Sequence, residues 1–230
     1  MKITFLGGGS AYVPIIVHEL INTISIDEII FIDKMRRNME IIVSYCQKIV
    51  QGKNISLIMC DDLDQNVQGS DVLISIYRAG GNASRILDEK LGQEFGILGQ
   101  ESQGIGGFSS ALRNIQVLTE YAPKIKKYSP NVLFLNITNP AGIVTYAAQA
   151  LGLNAVGICD APYAMKKKIA AFLKIHINQI ETDYIGLNHL GWITDIRING
   201  LSIMDEILDG ENLKELLISM KQINIPKSID

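Results

Sequence analysis

Three glycines and a serine, Gly7-Gly8-Gly9-Ser10, stand directly between the apolar run Ile3 to Leu6 and a helix-period segment near Tyr12 to Asn22. A run that short reads as a buried strand, and a glycine turn joining it to a helix starts a βα unit. The chain then repeats the alternation. Glu28 to Ile32 reads as a second strand, Met35 to Val50 as a helix, and Ile55 to Met59 and Asp71 to Ile76 as further strands. A long helix fits Ser109 to Lys127, and Asn131 to Leu135 is another buried strand. Pro140 sits where a helix begins, with Asn139 as its natural N-cap. Strand, helix, strand repeated in this way implies a parallel sheet with right-handed crossovers. The expected fold class is α/β: a Rossmann-type doubly wound parallel sheet over residues 1–150, followed by the start of an α+β substrate domain in residues 151–230.

From about residue 180 the pattern changes. Trp192 to Ile198 alternates apolar and polar residues, and Asn199-Gly200 follows, the strongest two-residue hairpin signal. Glu211 to Asp230 reads as a short helix and a polar tail. A chain of 230 residues can bury one substantial core, or one domain and the start of a second. Its net charge of −3 gives no broad basic field, so nucleic acid is not an expected partner. No apolar stretch reaches the length of a membrane span, and no signal peptide is read at the N-terminus. Cys46, Cys60 and Cys159 are scattered and odd in number, which argues for a reducing compartment and a cytoplasmic protein.

The glycine loop has the context that a dinucleotide needs. Gly7 and Gly9 allow a tight turn and close backbone approach to a pyrophosphate at the helix N-terminus, with Gly8 and Ser10 completing the loop. Tyr12 stands where the usual fingerprint has its third glycine. Asp33 ends the second strand, where an acid binds adenosine ribose hydroxyls; Lys34, Arg36 and Arg37 follow and leave a 2′-phosphate open. The segment Gly96 to Gly107 is too rich in glycine for a helix or strand. Composition alone makes it a flexible connector, but Arg85, Asp88, Glu89, Glu101 and Arg113 surround it, a charge density more typical of functional loops. Asn139 is either a simple cap or a donor to a sugar hydroxyl or a substrate carbonyl.

Cys159 and His189 each end a short apolar run, at positions where an α/β sheet presents reactive side chains. Alone, Cys159 reads as a small buried hydrophobe. Together, a thiolate and an imidazole can hold a divalent transition metal and leave positions open for substrate. With the glycine loop and Asp160, the expectation is a dinucleotide, a metal and a carboxylic acid in one crevice.

These residues together resemble glycoside hydrolase family 4, the NAD-dependent and metal-dependent glycosidases. The matching pieces are Gly7 to Ser10, Arg85 through Asp88-Glu89, Gly99-Gln100-Glu101, Gly106-Gly107, Asn139-Pro140-Ala141, Cys159 and Gly186-Leu187-Asn188-His189, in family order. The resemblance implies NAD as cofactor, Mn²⁺ on Cys159 and His189, and a 6-phosphoglucoside bound by Arg85 and Asn139. Asp160 stands at the position of the acid in members acting on 6-phospho-α-glucosides, while other parts look like the β enzymes, so the anomer stays open. Glu101 would support the catalytic base. The implied chemistry is oxidation at sugar C3, loss of the C2 proton, elimination of the aglycone, addition of water and return of the hydride. The family's base is a tyrosine downstream of the Asn-His motif, and none of Tyr121, Tyr128, Tyr146, Tyr163 or Tyr184 matches it. The expectation is therefore the N-terminal part of such an enzyme, a homo-oligomer, with poor activity by itself. Two other readings stand beside it: a 2-hydroxy-acid dehydrogenase of the malate or lactate kind, and an inactive NAD-binding remnant.

Overall fold

The computed structural model describes residues 1–63 and 65–221, so the polar tail expected at the end of the chain lies outside the described residues. The chain divides into two compact units, residues 1–158 and 159–230. The boundary falls eight residues after the expected one, because the strand Ala155–Gly157 pairs with its neighbour in the first sheet.

The first unit holds six strands: β1 (Lys2–Leu6), β2 (Glu28–Ile32), β3 (Ser56–Cys60), β4 (Val72–Ser75), β5 (Leu133–Asn136) and β6 (Ala155–Gly157). They form one parallel sheet in the order β3-β2-β1-β4-β5-β6, the doubly wound arrangement whose order reverses beside β1. Helices α1 (Val13–Thr23) and α2 (Arg36–Ile49) cover one face, where Val13, Val17, Met39 and Val43 meet Ile29 and Phe31. Helices α4 (Gly104–Tyr128) and α5 (Ala141–Ala150) cover the other, where Leu118, Tyr121 and Val144 meet Ile30, Ile32 and Phe134. The strand β2 reads as an unbroken apolar run because alternate side chains enter opposite cores.

Phe134 is fully buried at the centre of the second of these cores. Phe134→Ala is expected to lower the unfolding free energy by about 3–5 kcal/mol, which is roughly 10 °C in the melting midpoint for a unit of this size. Denaturant unfolding of both proteins measures it, and a loss under about 1 kcal/mol would place the core elsewhere.

Three expectations are corrected here. Helix α4 starts at Gly104, inside the segment that looked too glycine-rich for a helix. Its first turn lies so close to neighbouring backbone that a Cβ on Gly106 would sit 2.6 Å from the Gln100 carbonyl oxygen. The glycines there serve close packing, not flexibility. Helix α3 (Gly81–Glu94) precedes it and was absent from the sequence reading. Asn139 is not the cap of α5; Pro140 occupies that position, with no side-chain cap bond.

The second unit contains α6 (Ala161–Leu173), an antiparallel sheet β7-β8-β9 (Ile180–Leu187, Leu190–Ile198, Leu201–Ser202), α7 (Met204–Leu208) and α8 (Gly210–Lys221). Ile169, Ile180, Ile196 and Ile207 make its small core. Asn199 (φ 53°) and Gly200 (φ 78°) form the expected tight turn between β8 and β9, both in the left-handed region that such hairpins require. Among the described residues no helix is long and apolar enough to cross a membrane.

Candidate functional site

In the first unit the glycine loop connects β1 to α1, as expected. Its backbone is tied to the neighbouring strand: the Gly7 and Gly8 N–H groups both donate to the Ile32 carbonyl at 2.9 Å. Gly7 has φ +99°, and a Cβ there would lie 2.6 Å from the Tyr77 backbone nitrogen, so only glycine fits. The Gly9 N–H donates to Asp33 Oδ2 at 2.9 Å, and the Met35 N–H donates to Asp33 Oδ1 at 2.8 Å. The Ser10 N–H donates to the Gly7 carbonyl at 3.0 Å. With those N–H groups occupied inside the loop, Ala11 and Tyr12 lead into α1. That point is invisible in a glycine count.

Beyond β4 the chain presents a ladder of charges. Arg78 Nε donates to Glu101 Oε1 at 2.8 Å, and Arg85 Nε donates to Glu89 Oε1 at 2.8 Å. Arg85 Nη1 lies 3.5 Å from Glu101 Oε2, so Glu101 joins two guanidinium groups. Arg113 pairs with the buried Asp88 and donates to Ser109 Oγ at 2.9 Å. The loop between α3 and α4 is pressed against these helices, since a Cβ on Gly99 would meet the Glu89 carbonyl oxygen at 2.5 Å. The charges expected around this loop are therefore paired in two groups, Arg78–Glu101–Arg85–Glu89 and Arg113–Asp88. Arg78 was not among the sequence candidates, although its place just beyond a parallel strand is the usual one for functional side chains.

Asn114, buried on α4, also escaped the sequence reading. Its Oδ1 accepts from the Ala79 N–H at 2.9 Å, and its Nδ2 donates to the Asn139 carbonyl at 2.7 Å. Its own carbonyl accepts from the Tyr77 hydroxyl at 2.7 Å. One side chain thus fixes the segments that follow β4 and β5, including the backbone of Asn139. A polar residue inside a helix carries no signal of such a role. Burial holds the Tyr77 phenol well above its ordinary range, with Tyr121 adding to the effect.

In the second unit, Cys159 Sγ and His189 Nε2 lie 3.5 Å apart. Two ligands of one tetrahedral ion, at about 2.3 Å for sulfur and about 2.05 Å for nitrogen, are separated by roughly 3.5 Å, so the pair fits a shared cation. Among the described residues no third His, Cys, Asp or Glu joins them. Such a site leaves positions open for water or substrate oxygens. His189 is not at the end of a parallel strand as expected. It is the second residue of the two-residue turn joining β7 to β8, with φ 59°. Asp160 takes the N-cap position of α6 but makes no side-chain cap bond. Cys46 is buried, which pushes its thiol up to about 11, and Cys60 is buried too, whereas Cys159 is half-exposed.

The model of the family 4 glycosyl hydrolases matches residues 2–175. The chain belongs to that family. The 6-phospho-beta-glucosidase BglT of Thermotoga maritima is 32% identical over 231 residues, 98% of this chain and 54% of the relative. The 6-phospho-alpha-glucosidase of Leptotrichia buccalis is 36% identical over 204 residues, 85% of this chain and 46% of the relative. The Thermotoga maritima 6-phospho-beta glucosidase, solved with manganese, NAD⁺ and glucose-6-phosphate, superposes with a TM-score of 0.84 at 30% identity, covering 94% of this chain and 54% of that one. The chain spans about half the length of the family 4 relatives it matches.

Proposed function

We propose that this chain carries the NAD-binding and metal-binding parts of a glycosidase acting on 6-phosphoglucosides. The observation that carries the reading is the 3.5 Å pair of Cys159 and His189 in a family 4 chain that also holds the glycine loop and Asp33. When bound, NAD⁺ supplies a hydride acceptor and Mn²⁺ a Lewis acid. Gly7 to Ser10 let the dinucleotide backbone approach closely, and Asp33, held by two N–H groups, offers its remaining lone pairs to ribose hydroxyls. Cys159 and His189 hold the metal. Arg85 and Asn139 bind the phosphorylated sugar; the Arg85 guanidinium suits an anionic, planar-bidentate partner, and Glu101 and Glu89 fix its direction. Asp160 is the proton donor to the departing glycosidic oxygen. Glu101 acts by supporting the group that removes the C2 proton. Relatives of both anomeric classes match, so the reading extends to either glucoside.

Two further expectations belong to the same reading. Leu87, Phe95, Leu98 and Phe108, on α3, α4 and the loop between them, are all more than half exposed, and large apolar side chains left open on successive elements support a homo-oligomer. Three cysteines without a disulfide suit a reducing compartment, the cytoplasm.

Titration with NADH tests the first unit. A saturable fluorescence change is expected, weakened about tenfold or more in Asp33→Ala, since a hydrogen bond to a charged group contributes on that scale. No binding at millimolar NADH would sink the dinucleotide assignment.

A further inference from the structure

The residues after β2, Lys34-Met35-Arg36-Arg37, have the basic character that accommodates the 2′-phosphate of NADP. The geometry tells against that use for Arg36. Its Nη1 donates to Asp61 at 2.9 Å, just beyond β3, and its Nε donates to Glu40 at 3.2 Å, one turn along α2. Two of the five Arg36 donors are thereby taken, and its charge is offset by two carboxylates with a third, Asp33, close by in the chain, so a further anion meets an excess of negative charge. Asp33 stands three residues before it with both oxygens fixed by backbone N–H groups, so its negative charge cannot swing away from a second anion. A phosphate monoester brings about −1.5 to −2 charges at neutral pH.

We propose that Asp61 and Glu40 set the cofactor specificity of this site: by engaging Arg36 beside the fixed Asp33, they make the chain select NAD(H) over NADP(H). The inference rests on the reading that the first unit binds a dinucleotide. Asp61 and Glu40 are surface residues with side chains 70% and 54% exposed, so replacing them leaves the core untouched.

The test is fluorescence titration of the 230-residue chain with NADH and with NADPH, reading the ratio of the two dissociation constants in each protein. The wild-type chain is expected to bind NADPH about a hundredfold more weakly than NADH, the effect of an unneutralised phosphate beside a fixed carboxylate. Glu40→Ala with Asp61→Ala should narrow that ratio about tenfold by releasing one charge-assisted donor. Adding Arg36→Ala should restore the wild-type ratio, and circular dichroism melting curves check that each variant folds. Equal binding of the two cofactors by the wild-type chain overturns the inference and leaves the dinucleotide reading standing. So does a gain that survives Arg36→Ala, which would assign the phosphate to Lys34 or Arg37, and so does the absence of any gain. Binding of neither cofactor overturns the dinucleotide reading itself, and the inference with it.

Discussion

A polypeptide of these 230 residues, tested by itself, is expected to bind NADH and Mn²⁺ yet hydrolyse 6-phosphoglucosides about 10²–10⁴-fold more slowly than the Thermotoga maritima relative, the usual effect of losing one positioned proton-transfer group. No tyrosine here stands at the position that the family resemblance gives its base. Nor do the buried ones substitute for it. Tyr121 is pushed up to about 12 and Tyr77 higher still, both chiefly by burial, which is the wrong direction for a phenolate that must accept a proton near neutral pH. Turnover of 4-nitrophenyl 6-phosphoglucosides of both anomers, with NAD⁺, Mn²⁺ and reductant, measures the difference. Rates comparable to those of the relative would show that another group removes the proton. Glu101 would be the first to replace, although its ion pairs with Arg78 and Arg85 already occupy it.

The second large effect is on metal affinity. Cys159→Ser and His189→Ala are each expected to weaken Mn²⁺ binding about a hundredfold, because even outer-shell partners of a ligand contribute 10–100-fold and these are the proposed ligands themselves. Both donors must be deprotonated to bind, so affinity in the wild-type chain should rise with pH and fall as protons compete. Thiol labelling gives an independent readout. In the folded protein Cys159 should react and the buried Cys46 and Cys60 should not, and Mn²⁺ should protect Cys159. His189→Gly separates ligation from structure. The left-handed backbone at φ 59° costs a non-glycine residue roughly 1–2 kcal/mol, so this variant should lose the metal and yet melt no lower than the wild type. Unchanged Mn²⁺ affinity in both Cys159→Ser and His189→Ala would make the pair structural.

The central parallel strands were legible because they are buried on both sides and therefore read as continuous apolar runs; β2 was placed to the residue. Helix α3 was not legible, for a physical reason. Its Ile86 and Leu87 point outward while Asp88 and Gly92 are the residues it buries, so its hydrophobic period is inverted. The start of α4 was hidden by glycines whose purpose is contact between backbones, a property of the partner segment and not of the local sequence. Of the candidate site, residue types with few structural uses stood out: Asp33 after a strand, and Cys159 with His189. What could not be read was how polar groups are shared. The bond from Asn114 to the Asn139 carbonyl spans 25 residues, and that from Arg78 to Glu101 spans 23. Neither leaves a local pattern. The hairpin that carries His189 was missed because Gly186, Asn188 and Gly191 interrupt the alternation that marks a strand pair.

The strand order also bears on how the molecule is made. The strand β1, which precedes the other described strands of this sheet in the chain, ends in its middle, paired on one side with β2 and on the other with β4. Its second neighbour, together with the bond between Thr4 and Ser70, becomes available only after some 70 residues have been added. Ser75, at the end of β4, then waits for Thr138. Closing such distant pairs requires loop entropy to be lost before the contacts form, so this topology predicts slow, late consolidation of the sheet. Until then the glycine loop has no wall to rest on: the Tyr77 backbone that confines Gly7 belongs to the segment after β4. The glycine loop thus precedes in the chain the segment that completes its surroundings, and a nascent chain that stalls before β4 would expose β1 with one edge unpaired.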